Sequence, residues 1–392
     1  MRDQVPVVNE SESQLDFTSA LYLGLSHASA SLPPWRRFST GRPAAMQPPP
    51  GSRNIKRELA KLVGCEAAVL GPSTLHLFWD LFGQLAGQSV AVYLDSGVYP
   101  IVRWASERAA VRRVPVHVFP HHDPDGLERL VVRRSGCRRR PVIVTDAVCT
   151  ERGEVAPLRD YLSIARSHGG LLVLDDTQGL GILGHGPDRA APYGRGGGGS
   201  WRWHGLEGGD IVSVASLAKG FGTPLAVLCA SHSFVQRFER ASETRVHCSP
   251  PAVPTLLAAN HALRENQARG DSQRFALASL VRRFRTRLKA IGLETCGGLF
   301  PIQNIETLTG RAAVAGFRRL KQFGVQTVLR QLNRSQLPQI VFVITARHRR
   351  EDIDHAVAAL ARVTGQAGQQ GDHSAFKLCR DRHLARHSQP GR

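Results

Sequence analysis

Residues 210–222 read DIVSVASLAKGFG, in which an apolar run typical of a buried strand leads into small residues around one lysine, Lys219. The chain has only six lysines against 45 arginines. A lysine at this place therefore indicates that a reactive amine is needed, because arginine would serve equally well for charge alone. Upstream, residues 170–176 read GLLVLDD and end a second apolar run at Asp175. The two stretches predict neighbouring buried strands that present an amine and a carboxylate.

Four other short apolar runs surround this pair, at residues 89–94, 114–119, 141–146 and 224–230. They are almost continuously apolar, without alternation, which is typical of strands covered on both faces of a sheet. Segments with a helical pattern separate the runs, for example residues 73–87. Alternating strands and helices predict an α/β core with a mainly parallel sheet.

Changes of composition predict four parts of the chain. Residues 1–45 form an N-terminal segment, and residues 46–271 carry the alternating pattern of the large domain. From residue 272 a long amphipathic helix leads into mixed strands and helices, which predicts a smaller α+β domain over 272–363. Residues 364–392 are polar and basic without an apolar period, and we expect them to be disordered.

Composition also limits the class of protein. The chain has 392 residues, 42% of them hydrophobic, which is enough for a large buried core. It has no apolar run of about 18 residues that would predict a membrane span, and its N-terminus lacks a signal-peptide pattern. Seven scattered cysteines without a CxxC pair are typical of reduced thiols. We expect a cytoplasmic globular protein without a membrane partner.

The net charge of +19 raises the question of an anionic partner. The arginines are dispersed, and no basic motif interleaved with aromatic residues appears. Nucleic-acid binding is therefore not expected as the main function. A non-catalytic basic binding protein stays open as an alternative of another class.

Two local patterns suggest ligand sites that we do not predict. GLGILG at 179–184 matches a dinucleotide-binding fingerprint, but no helix is predicted after it, so we expect a close-packed glycine turn instead. His121 and His122 are adjacent, but no third ligand lies at a matching spacing. They are interpreted as turn residues, and no metal site is predicted.

Several polar residues are predicted at the carboxyl ends of strands, where open α/β sheets bind ligands. Ser73 and Thr74 lie at a predicted helix N-terminus, which suits a phosphate. Tyr99 follows one strand, Asp175 ends another, and Lys219 lies beyond a third. One ligand fits all of them: pyridoxal 5'-phosphate (PLP), whose aldehyde needs a lysine amine and whose ring nitrogen needs a carboxylate.

The amino-acid sequence of two stretches also resembles a known family. Residues 144–184, which end in GGLLVLDDTQGLGILG, and residues 210–222 are similar to the α-oxoamine synthases, which include 8-amino-7-oxononanoate synthase, 2-amino-3-ketobutyrate ligase and 5-aminolevulinate synthase. The resemblance runs from about residue 20 to 362. It implies an α/β protein of PLP fold type I, with a mainly parallel seven-stranded sheet, a smaller α+β C-terminal domain and a homodimeric state.

The resemblance also implies roles for individual residues. Lys219, Asp175 and Tyr99 would be catalytic: Lys219 binds the cofactor aldehyde, Asp175 pairs with the ring nitrogen, and Tyr99 replaces the family's ring-stacking histidine. The other cofactor-binding residues by this resemblance are Ser73, Thr74 and Leu75 in the phosphate loop, Thr150 near the ring, Thr177 under it, Gln178 at the ring hydroxyl and Ser216 at the phosphate.

Departures from the family concentrate on the substrate side. Gln178 stands where the family has a histidine, although an amide can still donate a hydrogen bond. The arginine that binds the amino-acid carboxylate is replaced within Gln339–Val341, and Arg42 or Arg245 are candidates to substitute for it. These differences predict a preserved cofactor site with an altered substrate site.

The resemblance implies carbanion chemistry at the Cα of an amino acid or amine, with condensation onto an acyl thioester as the first choice. An aminotransferase or a Cα lyase of specialised metabolism is the alternative within the same cofactor class.

Overall fold

The computed structural model describes residues 14–134, 139–331 and 337–367 of the chain. Most of the predicted tail at 364–392, and the first 13 residues of the predicted N-terminal segment, lie outside the described residues. Within the described ranges, no helix is long and apolar enough to span a membrane.

A seven-stranded sheet forms the centre of the larger part of the molecule. Six strands are parallel and one, β8, is antiparallel to both of its neighbours, so the predicted mainly parallel sheet is confirmed. All six predicted strands are present, and β2 was missed. In spatial order the strands are β2 (Ala67–Gly71), β8 (Ala226–Ala230), β7 (Ile211–Ser216), β6 (Leu171–Asp175), β5 (Arg140–Asp146), β3 (Val90–Asp95) and β4 (Val116–Phe119).

Helices cover both faces of this sheet, which explains why its strands are apolar without alternation. Helices α1 (Ser52–Val63), α4 (Pro124–Arg134) and α5 (Leu158–Ser167) pack on one face. Helices α2 (Thr74–Leu85), α3 (Pro100–Val111) and α7 (His232–Ala241) pack on the other. Two buried apolar layers result, one on each side of the strands.

A second, four-stranded antiparallel sheet forms the smaller part of the molecule. Its strands are, in order, β12 (Val328–Arg330), β13 (Gln339–Val343), β10 (Ile302–Thr309) and β9 (Thr295–Cys296). Helix α10 (Gly310–Gln322) packs against them, and helix α11 (Arg350–Ala367) packs against α10. The first described strand, β1 (Leu15–Asp16), pairs in parallel with β11 (Val325–Gln326), which directly precedes β12 in the sequence. Short helices α6 (Ser200–His204) and α8 (Thr244–His247) complete the described elements, with one 3-10 turn at Ser29–Ser31.

The two sheets are connected by one long helix, α9 (Val253–Ala290). The sequence predicted a helix that starts only near residue 274. The actual helix begins about half of its length earlier and runs through the predicted domain boundary between residues 271 and 272. The four-part division of the chain stays a prediction.

The GLGILG stretch is a turn and not the start of a helix. Gly181 has a φ of +90°, and a Cβ there would lie 3.0 Å from the Cα of Gly220, beside Lys219. A Cβ on Gly220 would lie 2.4 Å from the carbonyl oxygen of Leu180. The predicted close-packed glycine turn is confirmed, and its purpose is to let two backbones meet next to the lysine.

The tight turn after β5 packs on the smaller sheet, and Gly153 makes this contact. Its φ is +64°, and a Cβ there would lie 2.0 Å from the carbonyl oxygen of Gly297. We expect Gly153→Ala to lower the free energy of unfolding for two reasons. The clash with Gly297 should cost about 1–3 kcal/mol, and the strain of a left-handed alanine adds to that cost. Urea denaturation measures the change.

Gly169→Ala is the matched control for this experiment. Gly169 has almost the same φ, +62°, but a Cβ there would meet no atom within 4 Å. The free energy of unfolding of Gly169→Ala should therefore fall only by the left-handed strain, about 1–2 kcal/mol. Equal losses in both variants would contradict the close contact between Gly153 and Gly297.

Candidate active site

A cavity of about 200 Å³ lies at the carboxyl ends of β5, β6 and β7. The sheet register explains its position, because Asp146 pairs with Asp175 and Asp175 with Val214, so these strand ends are level. Eight of the ten predicted site residues line it: Thr74, Tyr99, Thr150, Asp175, Thr177, Gln178, Ser216 and Lys219. Sequence reasoning missed the two others that line it, Ile101 and Asp146.

The Asp175 carboxylate is held at the end of β6 by the turn that follows it. The backbone N–H of Thr177 donates to Asp175 Oδ1 over 2.9 Å, and the N–H of Ser216 donates to Thr177 Oγ1 over 3.1 Å. These bonds fix Asp175 relative to the end of β7. Burial raises the pKa of Asp175, while the bonds from Thr177 and the charge of Lys219 lower it.

Lys219 faces two carboxylates. Burial lowers the pKa of its amine, and the charges of Asp175 and Asp146 oppose that effect. Burial, and then the charge of Asp175, raise the pKa of Asp146 well above its usual range. Asp146 Oδ1 is buried and has no hydrogen-bond partner among the described residues. The cavity therefore has an excess of buried acidic groups and favours a ligand with a positive charge.

Asp146 also positions the mouth of the cavity. Its Oδ2 accepts a 3.0 Å hydrogen bond from the backbone N–H of Tyr99. Tyr99 precedes α3, and about half of its surface is exposed (54%), so its ring stands at the rim. The predicted stacking of Tyr99 on a cofactor ring stays a prediction.

The N-terminus of α2 forms another wall. Ser73 precedes this helix, but its side chain caps no backbone N–H and instead lies 2.8 Å from His76 Nδ1. Thr74 is buried and lines the cavity, whereas Ser73 and Leu75 do not, and the Leu75 side chain is partly exposed (39%). The first N–H groups of α2 are therefore not occupied by a capping side chain and can accept an anion.

Gln178 is oriented by a residue that the sequence did not indicate. The buried hydroxyl of Tyr22 donates to Gln178 Oε1 over 2.6 Å. Burial raises the pKa of Tyr22, so this donor stays protonated. Because Oε1 is occupied as an acceptor, the Gln178 amide nitrogen is left to donate toward the cavity.

The smaller sheet supports the Thr150 side of the cavity. Arg330 donates from Nη1 to the Thr150 carbonyl over 3.4 Å and from Nη2 to Asn304 Oδ1 over 2.7 Å. Asn304 in turn donates to the Glu151 carbonyl over 2.6 Å. Arg330 is partly buried, and this desolvation lowers its pKa. A guanidinium from the smaller sheet thus lies beside a residue of the cavity wall.

The two arginines proposed from the sequence lie elsewhere. Arg42 donates to Gln47 Oε1 over 2.7 Å. Arg245 donates to the carbonyls of Glu239 and Ala44. Neither of them lines the cavity that contains Lys219.

A larger groove of about 720 Å³ lies between α1 and α9. It is lined mainly by basic and amide side chains, including Lys61, Arg202 and Arg264. None of the residues predicted from the sequence lies in it. Size alone would favour this groove, but the smaller cavity holds the buried amine and carboxylates that chemistry requires.

The donor set of the smaller cavity fits PLP. Asp175, and the unpartnered Oδ1 of Asp146, suit a protonated ring nitrogen. Lys219 supplies an amine with a lowered pKa. The uncapped N-terminus of α2 with Thr74 suits a phosphate. These three features match the three functional ends of the cofactor.

Comparison with known proteins gives similar curated sequences. No family model matches the chain. An 8-amino-7-oxononanoate synthase of Alkalilimnicola ehrlichii is 28% identical over 321 residues, which cover 81% of this chain and 78% of that protein. The same enzyme of Marinobacter nauticus is 30% identical over 65% of this chain and 61% of its own length.

Solved structures show the same fold. A serine palmitoyltransferase from S. paucimobilis with bound PLP superimposes with a TM-score of 0.78 at 16% identity, over 91% of this chain and 88% of that one. An 8-amino-7-oxononanoate synthase of Francisella tularensis superimposes with a TM-score of 0.72 at 18% identity, over 91% of this chain and 99% of that one. The cavity, the fold and the curated relatives agree with the sequence resemblance. Together they support the α-oxoamine synthase family, within the PLP-dependent transferases of fold type I, as the family that this chain resembles.

Proposed function

We propose that this protein joins the Cα of an amino acid or amine to the acyl group of a thioester. With an amino acid, the products would be an α-amino ketone, carbon dioxide and the free thiol. The observation that carries this proposal is the convergence of Lys219 with Asp175 in one buried cavity, at the positions that match the family. PLP would supply an aldehyde for the substrate amine and a protonated ring that withdraws electrons from Cα.

Asp175 and Lys219 would move and hold the protons. Asp175 would keep a proton on the ring nitrogen, because its carboxylate is buried and fixed by Thr177. Lys219 would hold the cofactor through its aldehyde and, as a free amine, would remove the proton from the substrate Cα. Its lowered pKa favours the neutral amine that both tasks need.

The other residues of the wall would orient the cofactor and exclude water. Thr177 would lie under the ring, with Thr150 beside it, and the Gln178 amide would donate to the ring hydroxyl. Tyr99 would cover the ring from the mouth of the cavity, held there by Asp146. The phosphate would be bound by Thr74, by the free backbone N–H groups at the start of α2 and by Ser216.

Arg330 would bind the carboxylate of an amino-acid substrate. The family arginine is replaced within Gln339–Val341, of which Ile340 and Val341 are buried and apolar. Arg330 lies on the adjacent strand β12 and contacts Thr150, which lines the cavity. A cation on this strand would approach the substrate from the side of the smaller sheet.

We expect Arg330→Gln to raise KM for the amino acid about 10–100-fold, which corresponds to the loss of one charge-assisted hydrogen bond. The kcat should change less, because the amine and the carboxylate at the ring are untouched. Steady-state kinetics with the acyl thioester saturating measure both constants.

Arg42→Gln and Arg245→Gln are the comparison variants. Both arginines have partners outside the cavity. The KM of each variant for the amino acid should therefore stay close to that of the unchanged protein. A raised KM in either one, with Arg330→Gln unchanged, would reverse the assignment.

The pH dependence of cofactor capture follows from the lowered pKa of Lys219. Only the neutral amine reacts with an aldehyde, so capture of PLP by the cofactor-free protein should accelerate as pH rises. The rate should level off below the usual lysine pKa of about 10.5, because burial outweighs the opposing charges of Asp175 and Asp146. Stopped-flow absorbance from pH 6 to pH 10 gives the midpoint. A midpoint at or above the usual value would contradict this account.

A product assay tests the reaction itself. Purified protein is incubated with PLP, a panel of amino acids and amines, and acyl thioesters of different chain length. Free thiol released only when both substrates are present supports the condensation. Keto-acid formation without thiol release would point to an aminotransferase. Amino-acid cleavage or decarboxylation without thiol release would point to a Cα lyase.

We further propose that the protein works as a homodimer in the cytoplasm, as the family resemblance implies. The five cysteines within the described ranges are all free thiols, which agrees with a reducing compartment. Light scattering of the purified protein measures the oligomeric state. Salt-dependent retention on nucleic acid, together with no PLP uptake, would instead support a basic binding protein on this fold.

A further inference from the structure

A second cluster of ligand-type side chains lies behind the loop that carries Tyr99. Asp95 ends β3, and His121 and His122 follow the end of β4, which is its neighbour in the sheet. One oxygen or nitrogen from each of the three side chains lies within 4.8 Å of the others. His121 and His122 lie in a turn, as the sequence predicted, and Asp95 joins them from another strand, 26 residues before His121 in sequence.

Hydrogen bonds hold this cluster in a defined geometry. Asp95 is buried, and its Oδ1 lies 2.7 Å from His121 Nδ1, while its Oδ2 accepts from the backbone N–H of His122 over 3.2 Å. A carboxylate that accepts from Nδ1–H leaves the Nε2 of the same ring free to bind a metal. The Cys149 thiol lies near the His121 ring but outside the group of three ligand atoms, so it is the nearby candidate for a sulfur donor.

Two ring nitrogens of this cluster are unsatisfied within the part of the chain that the structure describes. Nε2 of His121 and Nε2 of His122 are both buried and lack a hydrogen-bond partner among the described residues. Each unsatisfied buried group costs about 1–3 kcal/mol. The two rings stack with centroids 3.8 Å apart, so the histidines are held side by side. A bound ion would satisfy both nitrogens at once.

Protonation of His121 is the alternative to a bound metal ion at this cluster. Pairing with Asp95, and then with Cys149, raises the pKa of His121 to about 10. An imidazolium would satisfy Asp95 but would leave Nε2 of His122 without a partner. A metal ion supplies positive charge to Asp95 and Cys149 and also binds the second histidine.

We propose that His121 and His122 bind one divalent transition-metal ion of the zinc type through their Nε2 atoms, with Asp95 holding the His121 ring at Nδ1 and the Cys149 thiolate as a further ligand. Imidazole nitrogen, thiolate sulfur and carboxylate oxygen are the donors that zinc prefers. The ion is structural in this position. It ties the loop that leads from Asp95 to Tyr99 to the turn at Cys149, which precedes Thr150, so it would rigidify two walls of the cofactor cavity.

The test uses the full chain with PLP bound, under reducing conditions, and Zn²⁺ as the probe. Elemental analysis after gel filtration should find about one zinc ion per chain, and a chelator should lower the melting temperature. His122→Asn keeps the backbone N–H that bonds to Asp95 and should weaken zinc affinity at least about 10-fold, as is common for altered metal sites. His117→Asn, on β4 and outside the cluster, is the matched control.

Zinc retained equally by His122→Asn and His117→Asn, or no stoichiometric zinc in the unchanged protein, would overturn the site. Cys149→Ser tests the sulfur separately, since serine keeps the size and removes the thiolate. A lower zinc affinity in this variant supports a sulfur ligand. An unchanged affinity would overturn that part and leave a site of two histidines, with Asp95 orienting His121.

Discussion

Replacing Lys219 by alanine is expected to abolish covalent binding of PLP and to lower kcat/KM for the proposed condensation by about 10⁴-fold. Lys219 is the amine that faces Asp175 and Asp146 in the cavity, so no other group there can bond to an aldehyde. Borohydride reduction followed by mass spectrometry should attach the cofactor to the unchanged protein and not to the variant. The visible absorption band should shift or disappear.

The fold should survive this change, because Lys219 lies on a surface of the cavity and removing a desolvated amine relieves a cost of burial. Lys289→Ala is the matched control, since Lys289 is exposed near the end of α9. Cofactor that remains covalently attached to Lys219→Ala would refute the central assignment. A peptide map would then locate the lysine that is actually used.

Asp175→Asn should lower kcat by about 10²–10³-fold, the range typical for removal of one electrostatic group from an active site. An amide cannot hold the ring nitrogen protonated, so the electron-withdrawing power of the cofactor falls. The amide oxygen can still accept from the Thr177 N–H. Burial disfavours the Asp175 charge, so the cofactor-free variant should be at least as stable as the unchanged protein.

The neighbouring Asp176→Asn is the matched control for this variant. Asp176 is also buried, but its carboxylate accepts from the Ser200 N–H and hydroxyl over 2.8 and 2.6 Å and does not line the cavity. This variant should change the melting temperature while its PLP spectrum stays normal. If Asp175→Asn lost stability and kept its kcat, Asp175 would be a structural residue and the proposed role at the ring nitrogen would be wrong.

The central strands could be predicted because their signal is local. Each is a short run that must be apolar on both faces, and the order of runs and helices fixes a parallel α/β sheet. Strand β2 was missed because AAVLG at Ala67–Gly71 is rich in small residues with weak strand preference. It becomes a strand through its antiparallel pairing with β8, far away in sequence.

The cofactor end of the site was predictable for the same reason. Asp175 and Lys219 each follow an apolar run directly, so their place at one edge of the sheet depends only on strand order. Asp146 ends β5 in the same way but was not singled out, because nothing in its local sequence shows that it supports Tyr99.

The sequence by itself determined the fold class, the family resemblance and the amine–carboxylate pair, because these depend on patterns within single segments and on their order. Only the tertiary structure decided which side chains meet from different segments. Tyr22 orients Gln178, Arg330 reaches Thr150, and Asp95 joins the two histidines. Such contacts depend on strand register, on turn geometry and on how the two sheets pack, and these are set by the whole folded chain rather than by any one segment.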